Sequence, residues 1–322
     1  MRATGNTLGK DGDSLAWIFG SSRSGSTWLL RMLSDLQRVV PIDDPHLGHH
    51  LGVWRPIPLA WATAEQTPEL ATLDRFKRQK PDYFFSEQYR EAWEPALRDL
   101  IRARFEAQAA DTIAEQEIAD PLVVVKEPAS QVADLLTQLF PASRVIFLLR
   151  DGRDVVASWL DGYSEGAWAT REGAYPVSPE GRVAMVRWQA SVWLKRTETM
   201  QSIFRQLPEN SRLLIRYDRL RMDPPACLRE VNELLGLGES AERLTEVAEA
   251  NSYENVPSER KGDGQEIRKA KPGSWRETLN AEEIEAMHEI LAGKLQELGM
   301  PVESALADAA GNGSAESAKP AA

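Results

Sequence analysis

The chain has 322 residues and a formal net charge of -11 at pH 7, and 27% of its residues are charged while 42% are hydrophobic. These proportions are typical of a folded globular protein rather than of a disordered or membrane-embedded one. The excess of acidic residues argues against a broad surface for nucleic acid, although it allows a local basic pocket for a small anion. Cys227 is the single cysteine, which excludes an intramolecular disulfide framework and a thiolate metal cluster.

The two ends of the chain differ in composition from the body between them. Residues 1–13 are rich in glycine and polar residues, and residues 303–322 are rich in alanine, glycine and serine, so we expect flexible tails around a domain at 14–302. No apolar run approaches the roughly 18 residues that a transmembrane helix requires, and the N-terminal residues lack the apolar core of a signal peptide. We therefore expect a cytoplasmic protein without a transmembrane segment.

Short continuous apolar runs are followed by helical patterns along the body. The predicted strands are 16–20, 122–126, 145–149 and 212–217, and the predicted helices are 26–37, 84–118, 130–139, 153–160, 180–206, 224–235 and 281–298. Apolar runs without alternation are typical of strands that are buried on both faces. The sequence therefore predicts an α/β fold in which a central parallel β-sheet is flanked by helices in a single domain.

The segment between the first predicted strand and the first predicted helix reads GSSRSGST, from Gly20 to Thr27. It has the spacing of the P-loop, G-x-x-x-x-G-K-[ST], but Ser26 stands where that motif has its lysine. Backbone N–H groups at the start of a helix, together with the helix dipole, favour an anion. The segment therefore predicts a P-loop-like anion site whose ligand need not be a nucleoside triphosphate.

Cationic residues accompany this predicted site. Arg23 lies in the loop itself, and two other predicted strands end in Lys126 and Arg150 rather than in the carboxylate that a Mg²⁺-nucleotide site needs. A fixed guanidinium stabilises charge on a leaving oxygen without a metal ion. Arg150 at a strand end and Ser158 in the following helix are suited to holding a second phosphate.

Three segments, in chain order, resemble motifs of the sulfotransferases. SSRSGSTW is similar to the 5'-phosphosulfate loop of that family, RVIFLLRDGRDVVASW to its 3'-phosphate motif, and ERKGDG to its late Arg-Lys-Gly segment. RYDRLRMDP resembles the Tyr-acidic segment between the second and third motifs, and with KPGSWRETL the likeness extends over residues 16–298. The resemblance implies transfer of the sulfonate of 3'-phosphoadenosine 5'-phosphosulfate (PAPS) to an acceptor hydroxyl or amine by in-line displacement, without a metal.

The same resemblance implies which residues contact the donor. A 3'-phosphate distinguishes PAPS from ATP, and reading it requires a second cationic cluster separate from the first. The implied residues are Arg23 near the bridging oxygen; Ser24, Gly25, Ser26 and Thr27 around the 5'-phosphate; Trp28 and Tyr217 at the adenine; Arg150 and Ser158 at the 3'-phosphate; and Arg260, Lys261 and Gly262 closing over it.

The catalytic base is harder to assign from the resemblance. Cytosolic members place a histidine two residues after a strand-end lysine, whereas LVVVKEP has Lys126, then Glu127 and Pro128. Members that act on protein tyrosine or carbohydrate use a carboxylate after the first helix, where this chain has PIDDPHLGHH. Asp44 is therefore the first candidate for the base, followed by Asp43 and Glu127, and Lys126 is a candidate for holding the transferring sulfonate.

Three histidines in the same segment are spaced i, i+3, i+4, as metal ligands on one helical turn would be. Pro45 and Gly48 weaken a helix over His46, His49 and His50, and no fourth ligand is evident, so we predict no metal site. One of these histidines is a candidate for the acceptor pocket. The sequence has ten tryptophans, and aromatic walls suit small-molecule, carbohydrate and lipid acceptors alike.

Two other classes of protein remain open at this point. A P-loop small-molecule kinase or NTPase would be favoured by a lysine at position 26 or by a predicted strand that ends in a Mg²⁺-binding aspartate, and the sequence shows neither. A non-catalytic nucleotide-binding protein is the second alternative. It would be favoured by the loss of Arg23 and Lys126, and both are present.

Overall fold

The computed structural model of the protein describes residues 7–9, 11–51, 79–258, 261–262, 264–265, 271–300 and 302. Its strands are β1 (Leu15–Gly20), β2 (Val39–Asp43), β3 (Leu122–Glu127), β4 (Arg144–Leu149) and β5 (Arg212–Arg216). They form one sheet in the order β2-β3-β1-β4-β5, and every neighbouring pair is parallel. β1 and β3 consist entirely of buried residues, as expected for central strands covered on both faces.

Helices connect the strands and extend beyond the last of them. Their bounds are α1 (Ser26–Ser34), α2 (Leu47–Leu51), α3 (Arg90–Gln116), α4 (Ala133–Leu139), α5 (Gly152–Gly162), α6 (Trp168–Arg171), α7 (Arg182–Gln206), α8 (Tyr217–Met222), α9 (Pro224–Leu235), α10 (Ala241–Ala250), α11 (Trp275–Thr278) and α12 (Ala281–Glu297).

The predicted α/β architecture is confirmed, and the four predicted strands are all present. β2 is not among the predicted strands, because Pro41 lies in the middle of this five-residue strand. A proline lacks the N–H that a central strand needs, but β2 lies at the edge of the sheet, where a proline is tolerated. Tyr217, predicted to end the last strand, instead begins α8.

Alternate residues of β1 face opposite sides of the sheet, and each side has its own hydrophobic cluster. Trp17 and Phe19 belong to a cluster that includes residues of α3, α4, α5, α7 and α12, whereas Ile18 belongs to one that includes residues of α1, α9 and α10. Leu8, within the predicted N-terminal tail, is fully buried in the first cluster, and Cys227 in the second. The predicted tail at 303–322 lies outside the described residues.

Within the described ranges, no helix combines the length and the apolar character that crossing a bilayer requires.

Candidate active site

The residues predicted to form the site come from several strands and meet at one edge of the sheet. The carboxyl ends of parallel strands lie at the same edge, and ligands of open α/β sheets bind there. Asp43 at the end of β2 pairs in register with Lys126 near the end of β3. The backbone N–H of Asp44 donates to the carbonyl of Lys126 at 3.2 Å, and Arg150 directly follows β4. The sheet thus brings the candidate base and the candidate cations to the loop after β1.

The loop between β1 and α1 has the backbone form of an anion site. Arg23 and Gly25 have φ angles of 72° and 93°, and left-handed residues of this kind turn successive N–H groups into one concavity. Gly25 is also required by packing, because a Cβ there would lie 2.7 Å from two ring carbons of Tyr217. The hydroxyl of Ser24 is buried and has no hydrogen-bond partner among the described residues, so it is placed to bind a ligand oxygen.

Lys126 connects this loop to the end of β2. Its side chain is only 3% exposed, and its Nζ atom lies 2.7 Å from Oγ1 of Thr27, 2.5 Å from Oδ1 of Asp43 and 2.9 Å from Oδ2 of Asp44. An ammonium has three N–H groups, which matches these three partners. The two carboxylates and the hydroxyl compensate for the desolvation of the buried charge.

Arg23 and Arg150 are each held by a hydrogen bond and by an aromatic ring. Nε of Arg23 donates to Oγ of Ser158 at 3.2 Å, and its guanidinium carbon lies 5.0 Å from the ring centroid of Trp168. Nη1 of Arg150 donates to the carbonyl of Arg23 at 2.8 Å, and its guanidinium lies 4.4 Å from the ring centroid of Tyr217. Nε of Arg150 is buried without a hydrogen-bond partner in the described part of the chain. These contacts fix the orientation of both cations. Nε of Arg150 remains a hydrogen-bond donor that a ligand could use.

Two of the three candidate carboxylates, Asp44 and Glu127, have different surroundings. Asp44 has a left-handed φ of 45°, and its Oδ1 is buried without a partner among the residues described here. Glu127 is fully buried and accepts hydrogen bonds from the backbone N–H of Leu47 at 2.7 Å and of Ala129 at 3.1 Å. Burial raises the pKa of Glu127 to about 7, against the effect of these N–H donors, and the charge of Asp44 adds to the rise. Glu127 thus anchors the start of α2, whereas Oδ1 of Asp44 is a buried acceptor without a partner among the described residues.

The histidines of this segment lie in and beside α2. The rings of His46 and His49 are 5.6 Å apart, and His46 has a left-handed φ of 57°. Burial, followed by the charges of Arg196, His46 and His50, lowers the pKa of His49 to about 4. At neutral pH His49 is consequently uncharged and a weak base. No cluster of three or more histidine, cysteine or acidic side chains with metal-ligand geometry occurs in the described part of the chain.

Trp28 and Lys261 belong to a separate group of contacts on α1, α8 and the segment after α10. Nε1 of Trp28 donates to the carbonyl of Asn251 at 2.7 Å, and the guanidinium of Arg221 lies 5.6 Å from its ring centroid. Nζ of Lys261 lies 5.0 Å from the ring centroid of Tyr253, which Arg221 also faces at 5.8 Å. These side chains form an aromatic and cationic group beside α1.

The late Arg-Lys-Gly segment is described only in part. Gly262 has a φ of 118°, which only glycine adopts without strain, whereas Arg260 lies outside the described residues. Asp154, at the start of α5, accepts from the backbone N–H of Gly273 at 2.8 Å and of Trp275 at 3.2 Å. Asp154 therefore ties the KPGSW segment to the helix that carries Ser158.

Two buried polar residues of the site, Arg196 and Gln131, are absent from the sequence-based candidates. Arg196, on α7, is 4% exposed and donates from Nε to Oε1 of Gln131 and from Nη1 to the hydroxyl of Ser22, both at 3.1 Å. Burial lowers the pKa of Arg196 to about 10, and the charge of Glu127 opposes the shift. An arginine within a helical pattern is normally solvated, so the sequence carries no signal that this one is buried under the loop.

The fold and this loop define a P-loop-like α/β protein whose candidate anion site is lined by cations of the same chain. The family profile described as the sulfotransferase family matches residues 16–240, which is more than half of the chain. The chain therefore belongs to the sulfotransferase family. The match includes the loop after β1 and the Arg150 and Ser158 motif, and it ends before Lys261.

Among the solved structures that are similar to this chain, a mouse sulfotransferase supports this fold. Mouse sulfotransferase SULT7A1 complexed with PAP is similar at a TM-score of 0.52 with 12% identity, covering 91% of this chain and 91% of that one. The sulfotransferase domain of the Synechococcus PCC 7002 olefin synthase has a TM-score of 0.42 with 18% identity, covering 90% and 95% of the two chains. Sulfotransferase STF9 of Mycobacterium avium has a TM-score of 0.48 with 13% identity, covering 93% and 84%. No curated protein matches the chain.

Proposed function

We propose that the protein transfers the sulfonate of PAPS to the hydroxyl or amine of an acceptor. The observation that carries this proposal is the contact between Lys126 and Thr27, with Asp43 and Asp44 on the same ammonium. In nucleotide-hydrolysing P-loops, the Ser/Thr at the position of Thr27 binds Mg²⁺, which a nearby carboxylate also holds. Here an ammonium takes that place, which favours a metal-independent transfer over a kinase or NTPase.

The side chains that would hold the donor have atoms ready for its phosphate oxygens. Oγ of Ser24 and Nε of Arg150 are both buried and unpaired within the described residues, and both donate hydrogen bonds. Ser24, Gly25, Ser26 and Thr27 at the start of α1 suit the 5'-phosphate. For the remainder of the donor we propose Arg150, Ser158, Arg260, Lys261 and Gly262 around the 3'-phosphate, with Trp28 and Tyr217 at the adenine.

The proposed chemical step is an in-line displacement at sulfur. A bond forms between the acceptor oxygen and sulfur while the bond between sulfur and the bridging oxygen breaks, and the electron pair remains on the 5'-phosphate of PAP. Arg23 stabilises the charge on that oxygen, and the Lys126 ammonium holds a sulfonate oxygen in place of one of its three present partners. Asp44 accepts the acceptor proton through its unpaired oxygen. Asp43 and Glu127 remain the alternative bases.

The acceptor remains a proposal at the level of chemical class: a small molecule, a carbohydrate or a lipid. His49 lies close to Asp44 in the chain and is uncharged at neutral pH, so it suits a neutral hydroxyl-bearing acceptor as a hydrogen-bond partner. We propose no nucleic-acid partner and no metal. A cytoplasmic location remains a prediction from the sequence.

Calorimetry with 3'-phosphoadenosine 5'-phosphate (PAP) and with ATP tests the donor side of the proposal. We expect PAP to bind at least about a hundredfold more tightly, since a second phosphate paired with a guanidinium is worth on the order of 3 kcal/mol. Incubation with PAPS labelled on the sulfonate and a panel of phenols, sugars, lipid alcohols and amines then identifies the acceptor. Equal affinity for the two nucleotides would overturn the proposal.

A further inference from the structure

Arg196 connects two parts of the site that are remote in sequence. It projects from α7, and its guanidinium donates on one side to the hydroxyl of Ser22 in the loop after β1 and on the other to Oε1 of Gln131. Both distances are 3.1 Å, and both partners lie more than sixty positions away along the chain. The planar, forked shape of the guanidinium allows one side chain to hold two partners in a fixed relative position.

Gln131 extends this connection to α2. Its Nε2 atom donates to the carbonyl of Gly48 at 2.8 Å, and Gln131 is only 5% exposed. Gly48 also packs closely against the neighbouring backbone, because a Cβ there would lie 1.7 Å from the carbonyl oxygen of Ala129. Hydrogen bonds therefore run from Ser22 through Arg196 and Gln131 to Gly48, and this series is called the Arg196 relay below.

The segment that leads into α2 needs such an anchor. Asp44 and His46 both have left-handed φ angles, of 45° and 57°, and each non-glycine residue in that region carries a conformational penalty. They are held from outside: Lys126 binds Asp44, Glu127 accepts from the N–H of Leu47, and the Arg196 relay ends at the next residue. A loss of the relay would let this segment relax toward ordinary backbone angles and would move Asp44.

We propose that Arg196 is a positioning residue that couples the phosphate-binding loop to Asp44 and α2, so that the donor side and the base side of the site keep one geometry. This proposal rests on the proposed function for the meaning of the two sides, but the coupling itself is a property of the free protein. The alternative is that Arg196 only balances the buried charge of Glu127, in which case Ser22 would be irrelevant to α2.

Hydrogen–deuterium exchange of the unliganded protein separates these two roles. Ser22→Ala removes the hydrogen bond between Ser22 and Arg196 but keeps the guanidinium. Arg196→Met removes the guanidinium and with it the hydrogen bonds to Ser22 and to Gln131. We expect amides in residues 44–51 to exchange about fivefold faster in both variants, the factor expected when one hydrogen bond is lost. Arg196→Lys keeps the charge but not the fork, so it should behave like Ser22→Ala. Arg187→Met, on the same helix and paired with Glu289 instead, is the matched control and should exchange like the wild type.

Wild-type exchange of residues 44–51 in Ser22→Ala would overturn the proposal, even if Arg196→Met were too unstable to study. Wild-type exchange in Arg196→Lys would overturn it as well, because the charge alone would then suffice. Adding PAP provides a second measurement: it should slow exchange of residues 20–27 in every variant, but of residues 44–51 only in the wild type and in Arg187→Met. If PAP fails to bind the wild type, the proposed donor is wrong, and the comparison in free protein still decides the coupling.

Discussion

Nζ of Lys126 lies 2.7 Å from Oγ1 of Thr27, and the two residues are 99 positions apart in the chain. The contact joins the end of β3 to the first turn of α1, at the place where P-loop nucleotide hydrolases hold a divalent ion. Two carboxylates complete the surroundings of the ammonium. The protein therefore places the side-chain nitrogen of Lys126 at the position where those enzymes recruit a metal.

Activity should be insensitive to the removal of divalent cations. Because the Lys126 ammonium occupies the position beside Thr27, a chelator should change the rate of labelled sulfonate transfer by less than about twofold, while Lys126→Met should lower it by roughly 10²-fold or more. The measurement is transfer to an acceptor from the screen, with and without a chelator. Activity that disappears in chelator and returns with Mg²⁺ would show that the lysine does not replace the metal.

Arg23 and Arg150 should affect different kinetic parameters. Arg23→Ala should lower turnover by roughly 10²- to 10³-fold with little change in PAP affinity, since its charge acts on the leaving oxygen. Arg150→Ala should mainly raise the dissociation constant for PAP, because its unpaired Nε is a donor for the ligand. Arg144→Ala, at the other end of β4, is the control and should change neither parameter. Identical profiles for the first two variants would contradict the separate roles.

The base should be a carboxylate rather than an imidazole. Asp44→Asn should lower turnover at least about 100-fold while PAP affinity stays within the wild-type range, as expected for loss of a general base. His49→Ala should have a much smaller effect, because a pKa of about 4 makes His49 a weak base. Asp43→Asn removes the other carboxylate that contacts Lys126, and its loss of turnover should lie between those of Asp44→Asn and His49→Ala. A large loss in His49→Ala beside near-normal activity in Asp44→Asn would assign the base to the histidine.

Substitution of Gly25 should lower the stability of the protein more than substitution of Gly173, because only Gly25 packs against a side chain. Both have positive φ angles, of 93° and 100°, but a Cβ at Gly25 meets the ring of Tyr217 while nothing lies within 4 Å at Gly173. Gly173→Ala should therefore lower the free energy of unfolding by about 1 kcal/mol, and Gly25→Ala by about 1–3 kcal/mol more. Denaturant unfolding of both variants measures the difference, and equal losses would mean that the ring of Tyr217 moves aside.

Glu127 should make the protein less stable as the pH rises from about 4.5 to about 7. Burial raises its pKa in the folded protein to about 7, so between these values the folded state binds more protons than the unfolded state. The contribution of Glu127 to the free energy of unfolding is greatest below pH 4.5. It falls by on the order of 3 kcal/mol as the pH rises to 7. Denaturant unfolding at several pH values should show a flatter dependence for Glu127→Gln. An unchanged slope would assign the pH dependence to other groups.

The fold class was accessible from the sequence because its evidence is local. Continuous apolar runs predicted β1, β3, β4 and β5, and these strands are present, whereas β2 is hidden by Pro41 at the sheet edge. The loop from Gly20 to Thr27 is recognisable because its glycine spacing serves a backbone shape formed by neighbouring residues. The short helices α2, α6, α8 and α11 escaped prediction, since four to six residues carry too little periodicity to distinguish them from turns. The ten-residue helix α10 was missed as well.

The sequence by itself determined the architecture and the family motifs, because strand burial, helix periodicity and loop spacing are properties of contiguous residues. Only the tertiary structure decided which charges meet. It placed Lys126 between Thr27 and two aspartates, made Glu127 an anchor of α2, and buried Arg196 beneath Ser22, which lies 174 positions away. A buried charge is stable only beside partners of complementary charge or hydrogen-bonding capacity. These partners come from separate strands and helices, so their pairing follows from the packing of the whole domain.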